Sequence, residues 1–189
     1  NELLRARGTA PDRLVGVGLA LPGFIDSDRG ICLDSPRLGW REVHIASLIS
    51  DRIGYPVWID NDVNAYAIAH QLFGAAMSKQ SLLAVVVGTG LGAALITPGG
   101  LHRGWRFRAG EIGYVKDPLP PGTPANTARS WGDQFSEAAL ALQWAERSQS
   151  TGLAGVRLED ALAEALAPAV ELLAEFGAAL GRRIAVLVG

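Results

Sequence analysis

The stretch "GTGLGAALITPGGLHRGWRFRAGEIGY", residues 88–114, decides how the fold of this chain is interpreted. It holds eight glycines and follows the apolar run "LLAVVV" at residues 82–87. An apolar run, a glycine-rich turn and a second apolar run predict a β-hairpin. Glycine loses much backbone entropy on folding, so a glycine cluster indicates turns or close backbone approaches. The stretch also carries one acidic residue, Glu111, between two of these glycines.

The composition of the 189-residue chain excludes several functional classes. With a net charge of −2, the chain lacks the excess of positive charge that is typical of nucleic-acid-binding domains. A single cysteine, Cys32, excludes an internal disulfide and a multi-cysteine zinc site. The longest apolar stretch, residues 81–96, is too short to cross a bilayer, and the polar start "NELLRARGTAPDR" is not a signal peptide. We therefore expect a cytoplasmic protein without a membrane partner.

Apolar periodicity predicts a layered fold that mixes strands and helices. Strands are predicted at residues 13–21, 31–36, 56–60 and 81–88 and within residues 92–104, where the strand ends at "TPGG". Helices are predicted at residues 1–7, 43–53 and 63–76. From Asp133 onward the chain is predicted to be mostly helical, with Pro168 splitting or kinking the last long segment. The terminal "RRIAVLVG" predicts the beginning of another strand. Because the chain also starts without methionine, inside a predicted helix, we expect it to be a fragment.

The turn from Gly88 to Gly92 is the first candidate for a binding function. Backbone N–H groups in a turn that lacks Cβ atoms can surround a phosphate, and Thr89 adds a hydroxyl donor. The same spacing also occurs in ordinary tight hairpins. A strand rather than a helix follows it, so it is not a dinucleotide-binding fingerprint. Both interpretations of the turn stay open.

The segment "IDNDVNA" places Asn61, Asp62 and Asn64 where a buried strand meets a helix. Asn and Asp are preferred helix N-caps, so one of the three is expected to cap the helix. Three short polar residues exceed what capping needs, and the surplus fits a site that accepts hydrogen bonds from hydroxyl groups. A carboxylate such as Asp62 can also accept a proton from a sugar hydroxyl during phosphoryl transfer.

Glu111, in "AGEIGY", has Gly110 and Gly113 close by in the sequence. Small neighbours would let a ligand approach the carboxylate closely. The alternative is a solvent-exposed glutamate in a glycine-rich turn.

Three stretches in combination resemble the ROK family, which unites bacterial sugar kinases with sugar-responsive transcriptional repressors. They are "GVGLALPGFID" at residues 16–26, "PVWIDNDVNAYAIAHQLFGAA" at residues 56–76 and "VVVGTGLGAALITPGGLHRGWRFRAGEIGY" at residues 85–114. The resemblance implies an α/β fold of the actin-like ATPase, hexokinase type, incomplete in this chain. It assigns residues 1–115 to a sugar-binding, kinase-like core, residues 116–132 to a proline-rich loop in place of a zinc loop, and residues 133–189 to the helical part of a second lobe.

The resemblance also implies a role for individual residues. Asp62 would be the catalytic base in a kinase, and Glu111 would bind the hydroxyls near the anomeric carbon of a sugar. The implied sugar-binding residues are Gly39, Trp40, Asn61, Asp62 and Glu111, and the implied phosphate-binding residues are Gly88, Thr89, Gly90 and Gly92. Because both polar motifs follow apolar strands, we expect Asn61, Asp62 and Glu111 to converge on one cleft.

The chain departs from the family pattern at the zinc site. Tyr114 stands where the family has a histidine that contacts sugar and zinc, and no cysteine follows Cys32. A phenol is a poor zinc ligand, so zinc is predicted absent and no metal site is predicted. That absence would loosen the support of the sugar-binding loops. Glu137 could stand for a second sugar-contacting glutamate or be a surface residue of a helix, and residues 116–132 are predicted to be poorly ordered.

The first hypothesis for function is a ROK-type transcriptional regulator that senses a sugar or sugar phosphate, because a sensor tolerates the lost zinc ligands. The second is a sugar kinase that uses ATP and Mg²⁺, since Asp62 and the glycine turn are intact. The family's first phosphate loop and adenosine segment, which would contact ATP, are not in this chain. A third is a catalytically inactive sugar-binding or scaffold protein. The expected partners are a small-molecule sugar, further copies in a homo-oligomer, and DNA only through an N-terminal domain outside this chain.

Overall fold

The computed structural model describes residues 13–188. The chain divides into two compact units: the first joins Asn1–Ala84 with Ala93–Gly110, and the second joins Val85–Gly92 with Glu111–Gly189. The helix predicted at residues 1–7 lies outside the described residues. Across residues 13–188, none of the helices combines the length and apolarity that crossing a membrane requires.

Strands alternate with helices in the first half of the chain, and the second half is mostly helical. The strands are β1 (Val17–Leu21), β2 (Phe24–Asp26), β3 (Ile31–Ser35), β4 (Trp40–Val43), β5 (Val57–Asn61), β6 (Leu82–Val87), β7 (Leu91–Thr97) and β8 (Gly100–His102). The helices are α1 (Ile45–Ile53), α2 (Asp62–Phe73), α3 (Trp131–Gln134), α4 (Glu137–Ser150), α5 (Leu158–Ala163) and α6 (Ala167–Val188). The mixed α/β architecture is therefore confirmed.

The described strands form three sheets. β1 pairs with β5 in parallel, and Leu21 lies opposite Asn61, so both strands end at the same edge. β2, β3 and β4 form an antiparallel sheet in that order. The third sheet has the order β6-β7-β8, in which β6 and β7 form the predicted hairpin and β8 returns antiparallel to β7.

The core of the first unit has two apolar clusters. One is centred on Ile25, Cys32 and Ile59, against which Trp40 packs. Burial and the nearby Asp34 raise the pKa of the Cys32 thiol above its ordinary value. Cys32 is fully buried and packs as a small core residue. The other cluster brings one face of α2 against the third sheet and comprises Ala67, Ala84, Ala94 and Ile96.

The second unit is built around α6. Leu172, Phe176 and Leu180 are buried along one face of this helix, at the four-residue spacing that an amphipathic helix requires. The split at Pro168 is confirmed, because α5 ends at Ala163 and Pro168 lies in the first turn of α6, where its missing N–H costs little.

The strand predicted at the C-terminus is wrong, because α6 continues to Val188. The apolar, β-branched residues of "IAVLV" favour a strand when considered alone. Here they follow a helix that has already formed, and each further residue adds a hydrogen bond without a new nucleation cost.

Candidate functional site

The turn between β6 and β7 leaves open space around its glycines. The N–H of Gly88 donates to the carbonyl of Gly90 at 2.9 Å, and the N–H of Glu137 donates to the carbonyl of Gly88 at 2.8 Å. A Cβ added to Gly88 or Gly90 would meet no atom within 4 Å. Packing therefore does not require glycine at these two positions. The hairpin is confirmed, and phosphate binding by Gly88, Thr89, Gly90 and Gly92 stays a prediction.

The glycines on either side of Glu111 have a packing function. Gly110 lies at φ +85°, and a Cβ there would be 1.8 Å from the carbonyl oxygen of Ala93. A Cβ on Gly113 would be 2.4 Å from the carbonyl oxygen of Leu91. The N–H of Ala93 donates to the carbonyl of Gly110 at 2.7 Å. The backbone around Glu111 thus lies directly against β7, and this contact, rather than ligand access, explains both glycines.

Glu111 and Tyr114 line a cleft of about 580 Å³ together with Thr89 and Gly90. Every residue that lines this cleft belongs to the second unit. The structure therefore brings the predicted sugar-binding glutamate together with two residues of the predicted phosphate turn. Sequence reasoning missed four further polar residues that line the cleft, which are Arg129, Ser130, Asp133 and Ser136.

Two of these residues are held by helix capping. Ser130 and Asp133 form a capping box at the start of α3, in which the Asp133 N–H donates to Ser130 Oγ at 3.1 Å. Ser130 Oγ donates to Asp133 Oδ2 at 2.7 Å, and this bond is the main cause that lowers the pKa of the Asp133 carboxyl. The Ser-x-x-Asp spacing in "SWGD" could have revealed this helix start.

Ser136 caps the next helix. Its hydroxyl is buried and accepts the N–H of Ala139 at 3.3 Å. Glu137 follows as the first residue of α4 and is exposed to solvent. This position fits the surface alternative for Glu137.

In the first unit, Asn61 is the N-cap of α2. Its Oδ1 accepts the N–H groups of Val63 at 2.9 Å and of Asn64 at 3.1 Å. Its Nδ2 donates to the carbonyl of Gly23 at 3.1 Å, which ties the helix start to the turn after β1. The expectation that one residue of "NDVN" caps the helix is therefore confirmed. Asp62 is exposed at the same helix start, and its Oδ1 accepts the N–H of Val63 at 2.9 Å.

Asp60 and Arg103 form an ion pair that sequence reasoning missed. Arg103 Nη1 and Nη2 donate to Asp60 Oδ1 and Oδ2, each at 2.8 Å, and this bond raises the pKa of Arg103. Asp60 Oδ1 also accepts the N–H of Asn61 at 2.8 Å and Asn64 Nδ2 at 3.2 Å. The polar side chain of Asn64 is therefore bound to Asp60. A charged residue in a strand next to apolar residues was the available signal, but the sequence did not identify its partner.

Gly39 lies in the turn between β3 and β4, and Trp40 is the first residue of β4. Gly39 has a φ of +66°, which favours glycine in this turn. Trp40 begins β4 opposite Ser35, and its side chain packs against the core of the first unit. Sugar contact by Gly39 and Trp40 stays a prediction.

The predicted site residues are divided between the two units. Asn61 and Asp62 belong to the first unit, and Glu111 belongs to the second. That the three converge on one cleft stays a prediction. Within residues 13–188, no group of three or more His, Cys, Asp or Glu side chains could hold a metal ion.

Comparison with known proteins identifies relatives of two kinds. The xylose repressor of Bacillus subtilis (strain 168) is 33% identical over 144 residues, which cover 75% of this chain and 37% of the repressor. A ROK family transcriptional regulator, a homolog of the E. coli MLC protein, has a similar structure with a TM-score of 0.82 and 25% identity, covering 99% of this chain and 50% of the regulator.

The second kind of relative is an enzyme. The ROK family glucokinase from Streptomyces griseus, solved with glucose and AMPPNP, has a TM-score of 0.72 and 25% identity, covering 93% of this chain and 62% of the glucokinase. The chain thus spans between 37% and 62% of the length of these three relatives.

The structural similarity confirms the fold class predicted from the sequence. The fold is the actin-like ATPase fold of the ROK sugar kinases, of which this chain forms a part. The family model described as "ROK family" matches residues 1–189. This chain therefore belongs to the ROK family.

Proposed function

We propose that this chain is the kinase-like, sugar-sensing part of a ROK-family transcriptional regulator whose DNA-binding domain lies outside the chain. The observation that carries this proposal is the cleft that Glu111 shares with Tyr114 and the β6–β7 turn. A net charge of −2 argues against DNA contact by the chain itself, so DNA binding is assigned to another part of the protein.

The chemistry of the cleft supports a sugar as its ligand. The Glu111 carboxylate can accept hydrogen bonds from two neighbouring hydroxyl groups, which is the arrangement that sugars offer. Tyr114 is 65% exposed and offers the same cleft an aromatic ring with a polar hydroxyl group. The open space at Gly88 and Gly90 leaves room for a phosphate, so a sugar phosphate also fits.

The structural similarity is higher to the regulator than to the glucokinase, which favours a regulator. The TM-score of 0.82 to the regulator exceeds that of 0.72 to the glucokinase. Tyr114 in place of a zinc-binding histidine also favours a regulator, because a sensor needs to bind its ligand but not to catalyse a reaction. The xylose repressor makes xylose the first sugar to test.

The alternative function is an ATP-dependent sugar kinase. Asp62 supports it, because its exposed carboxylate at the start of α2 can accept the proton of a sugar hydroxyl as that oxygen attacks the γ-phosphorus. ATP with Mg²⁺ would supply the phosphoryl group. The similarity to a glucokinase favours this alternative as well.

The proposal is tested by calorimetry on the full-length protein with xylose, glucose and glucose 6-phosphate. Binding of one of them, weakened about 10- to 100-fold by Glu111→Gln, supports the sugar site, because a hydrogen bond to a charged group contributes about 1.5–3 kcal/mol. Glu137→Gln is the matched control and should bind like the wild type.

The regulatory role is tested separately by operator binding with and without the sugar that binds. Sugar-dependent release of DNA with negligible hexose-dependent ATP consumption supports the regulator. Rapid ATP consumption would overturn the regulator and favour the kinase. No binding of any of these ligands would contradict the sugar site.

A further inference from the structure

Asp117 lies at the centre of a polar network in the second unit. Trp131 Nε1 donates to Asp117 Oδ1 at 2.9 Å, and Gln134 Nε2 donates to Oδ2 at 3.2 Å. Arg183, 66 positions later in α6, donates through Nε to Oδ1 at 3.0 Å and to Oδ2 at 3.2 Å. Its Nη2 also bonds Oδ2. One carboxylate therefore connects the proline-rich segment to α3 and to α6.

Arg183 is held from several further directions. Its Nη1 donates to the carbonyl of Ala179 at 3.2 Å, and its Nη2 donates to Gln134 Oε1 at 3.2 Å. The guanidinium also lies 4.7 Å from the ring centroid of Phe135, which packs edge-on against Phe176 at 5.4 Å. A planar, multiply donating group satisfies these contacts together, whereas a lysine ammonium could not.

Backbone contacts join the two ends of the proline-rich segment, residues 116–132. The N–H of Trp131 donates to the carbonyl of Val115 at 2.7 Å, and Lys116 and Ser130 form an isolated antiparallel bridge. Trp131 is itself buried. Ser130, Asp133 and Tyr114 all line the cleft. Residues that line the cleft therefore lie at or next to both ends of this segment in the chain.

Zinc does not fit this part of the chain. Residues 115–189 contain neither histidine nor cysteine. The side chain of Asp117 is engaged by Trp131, Gln134 and Arg183, so its oxygens are occupied by donors and unsuited to a cation. Hydrogen bonds of Asp117, rather than metal ligands, join residue 117 to α3 and α6.

We propose that the hydrogen bonds of the Asp117–Arg183 network, without a metal ion, position Ser130 and Asp133 relative to Glu111 in the cleft. Asp117 and Arg183 are accordingly positioning residues for ligand binding. Only the expectation for sugar affinity rests on the proposed function.

The test compares Asp117→Asn and Arg183→Lys with the wild type in the full-length protein. Arg182→Lys is the matched control, because Arg182 is the exposed neighbour in the same helix. We expect both network variants to move the Trp131 indole N–H resonance upfield, because Asp117→Asn replaces its charged acceptor with a weaker neutral one and Arg183→Lys lets that acceptor shift. Cleavage by proteinase K within residues 118–129 should become about fivefold faster or more, because a small loss of stability raises the open population by that factor.

Two further measurements complete the test. A chelator should leave the melting temperature of the wild type unchanged, and sugar affinity should fall about 5- to 30-fold in both network variants.

A wild-type melting temperature that falls on chelation would overturn this proposal. So would an indole resonance and a cleavage rate of Asp117→Asn and Arg183→Lys equal to those of Arg182→Lys. A wild type that binds no sugar would contradict the proposed function. It would leave the resonance, cleavage and chelation measurements to decide on the network.

Discussion

Arg103 binds Asp60 through two parallel hydrogen bonds of 2.8 Å, although 43 positions separate the two residues in the chain. The Asp60 carboxylate also accepts the backbone N–H of Asn61. The pair is only partly exposed, with 29% of the Arg103 side chain and 16% of the Asp60 side chain accessible. Arg103 thus helps to fix the strand end from which the predicted sugar-binding residues Asn61 and Asp62 emerge.

Arg103→Lys should lower the free energy of unfolding by about 1–3 kcal/mol, because lysine keeps the charge but cannot donate both bonds. Urea denaturation measures this loss. Arg41→Lys is the control, since Arg41 is exposed and lies 3.7 Å from Asp34; it should change stability by about 0.5 kcal/mol or less. Equal losses in the two variants would show that the Asp60 pair is no stronger than a surface pair.

Gly110→Ala should destabilise the protein by about 2–4 kcal/mol, through strain at positive φ and overlap with the carbonyl of Ala93. Gly88→Ala is the matched variant, because its added Cβ meets open space. It should stay within about 0.5 kcal/mol of the wild type in thermal unfolding. If the turn binds phosphate, Gly88→Ala should nevertheless weaken binding of a sugar phosphate or nucleotide. A Gly110→Ala variant as stable as Gly88→Ala would contradict the close packing on β7.

Asp62→Asn distinguishes the two proposed functions, because it removes the base and keeps the shape of the side chain. In a kinase, the rate constant for hexose-dependent ATP consumption should fall about 10²–10⁴-fold, while sugar affinity changes much less. In a regulator, turnover is negligible before and after the change. The effect should then appear in sugar affinity, at about 1–3 kcal/mol by calorimetry. Fast wild-type turnover that collapses in the variant would overturn the regulator.

The contribution of Asp117 to stability should depend on pH. Hydrogen bonds, foremost from Arg183, lower the pKa of Asp117 from 3.8 to about 2. A carboxyl with a lowered pKa stabilises the folded state above its unfolded pKa and loses this effect as pH falls through the folded pKa. The difference in unfolding free energy between the wild type and Asp117→Asn should therefore be full at neutral pH and shrink between about pH 4 and pH 2. Urea denaturation across this range measures it, and a difference that stays constant with pH would contradict the ion pair.

Elements with strong local signals could be predicted from the sequence. The hairpin of β6 and β7 is specified by two apolar runs and a glycine-rich turn, and the start of α2 is specified by the capping side chain of Asn61. The break before α6 follows from Pro168, which cannot occupy a helix interior. The combination of motifs also predicted the ROK family. These features depend on residues within a few positions of one another, so a short stretch of sequence contains their physical cause.

Contacts between distant residues were decided only by the tertiary structure. Nothing near Asp60 or Asp117 in the sequence indicates that Arg103 and Arg183 are their partners, because such pairs form only when separate elements pack. The same holds for Gly110, whose conformation is fixed by the carbonyl of Ala93 on β7. The sequence alone determined the local elements, the family and the candidate residues. The tertiary structure determined which charges pair and which glycines are indispensable, since both depend on distances in space that local propensity does not encode.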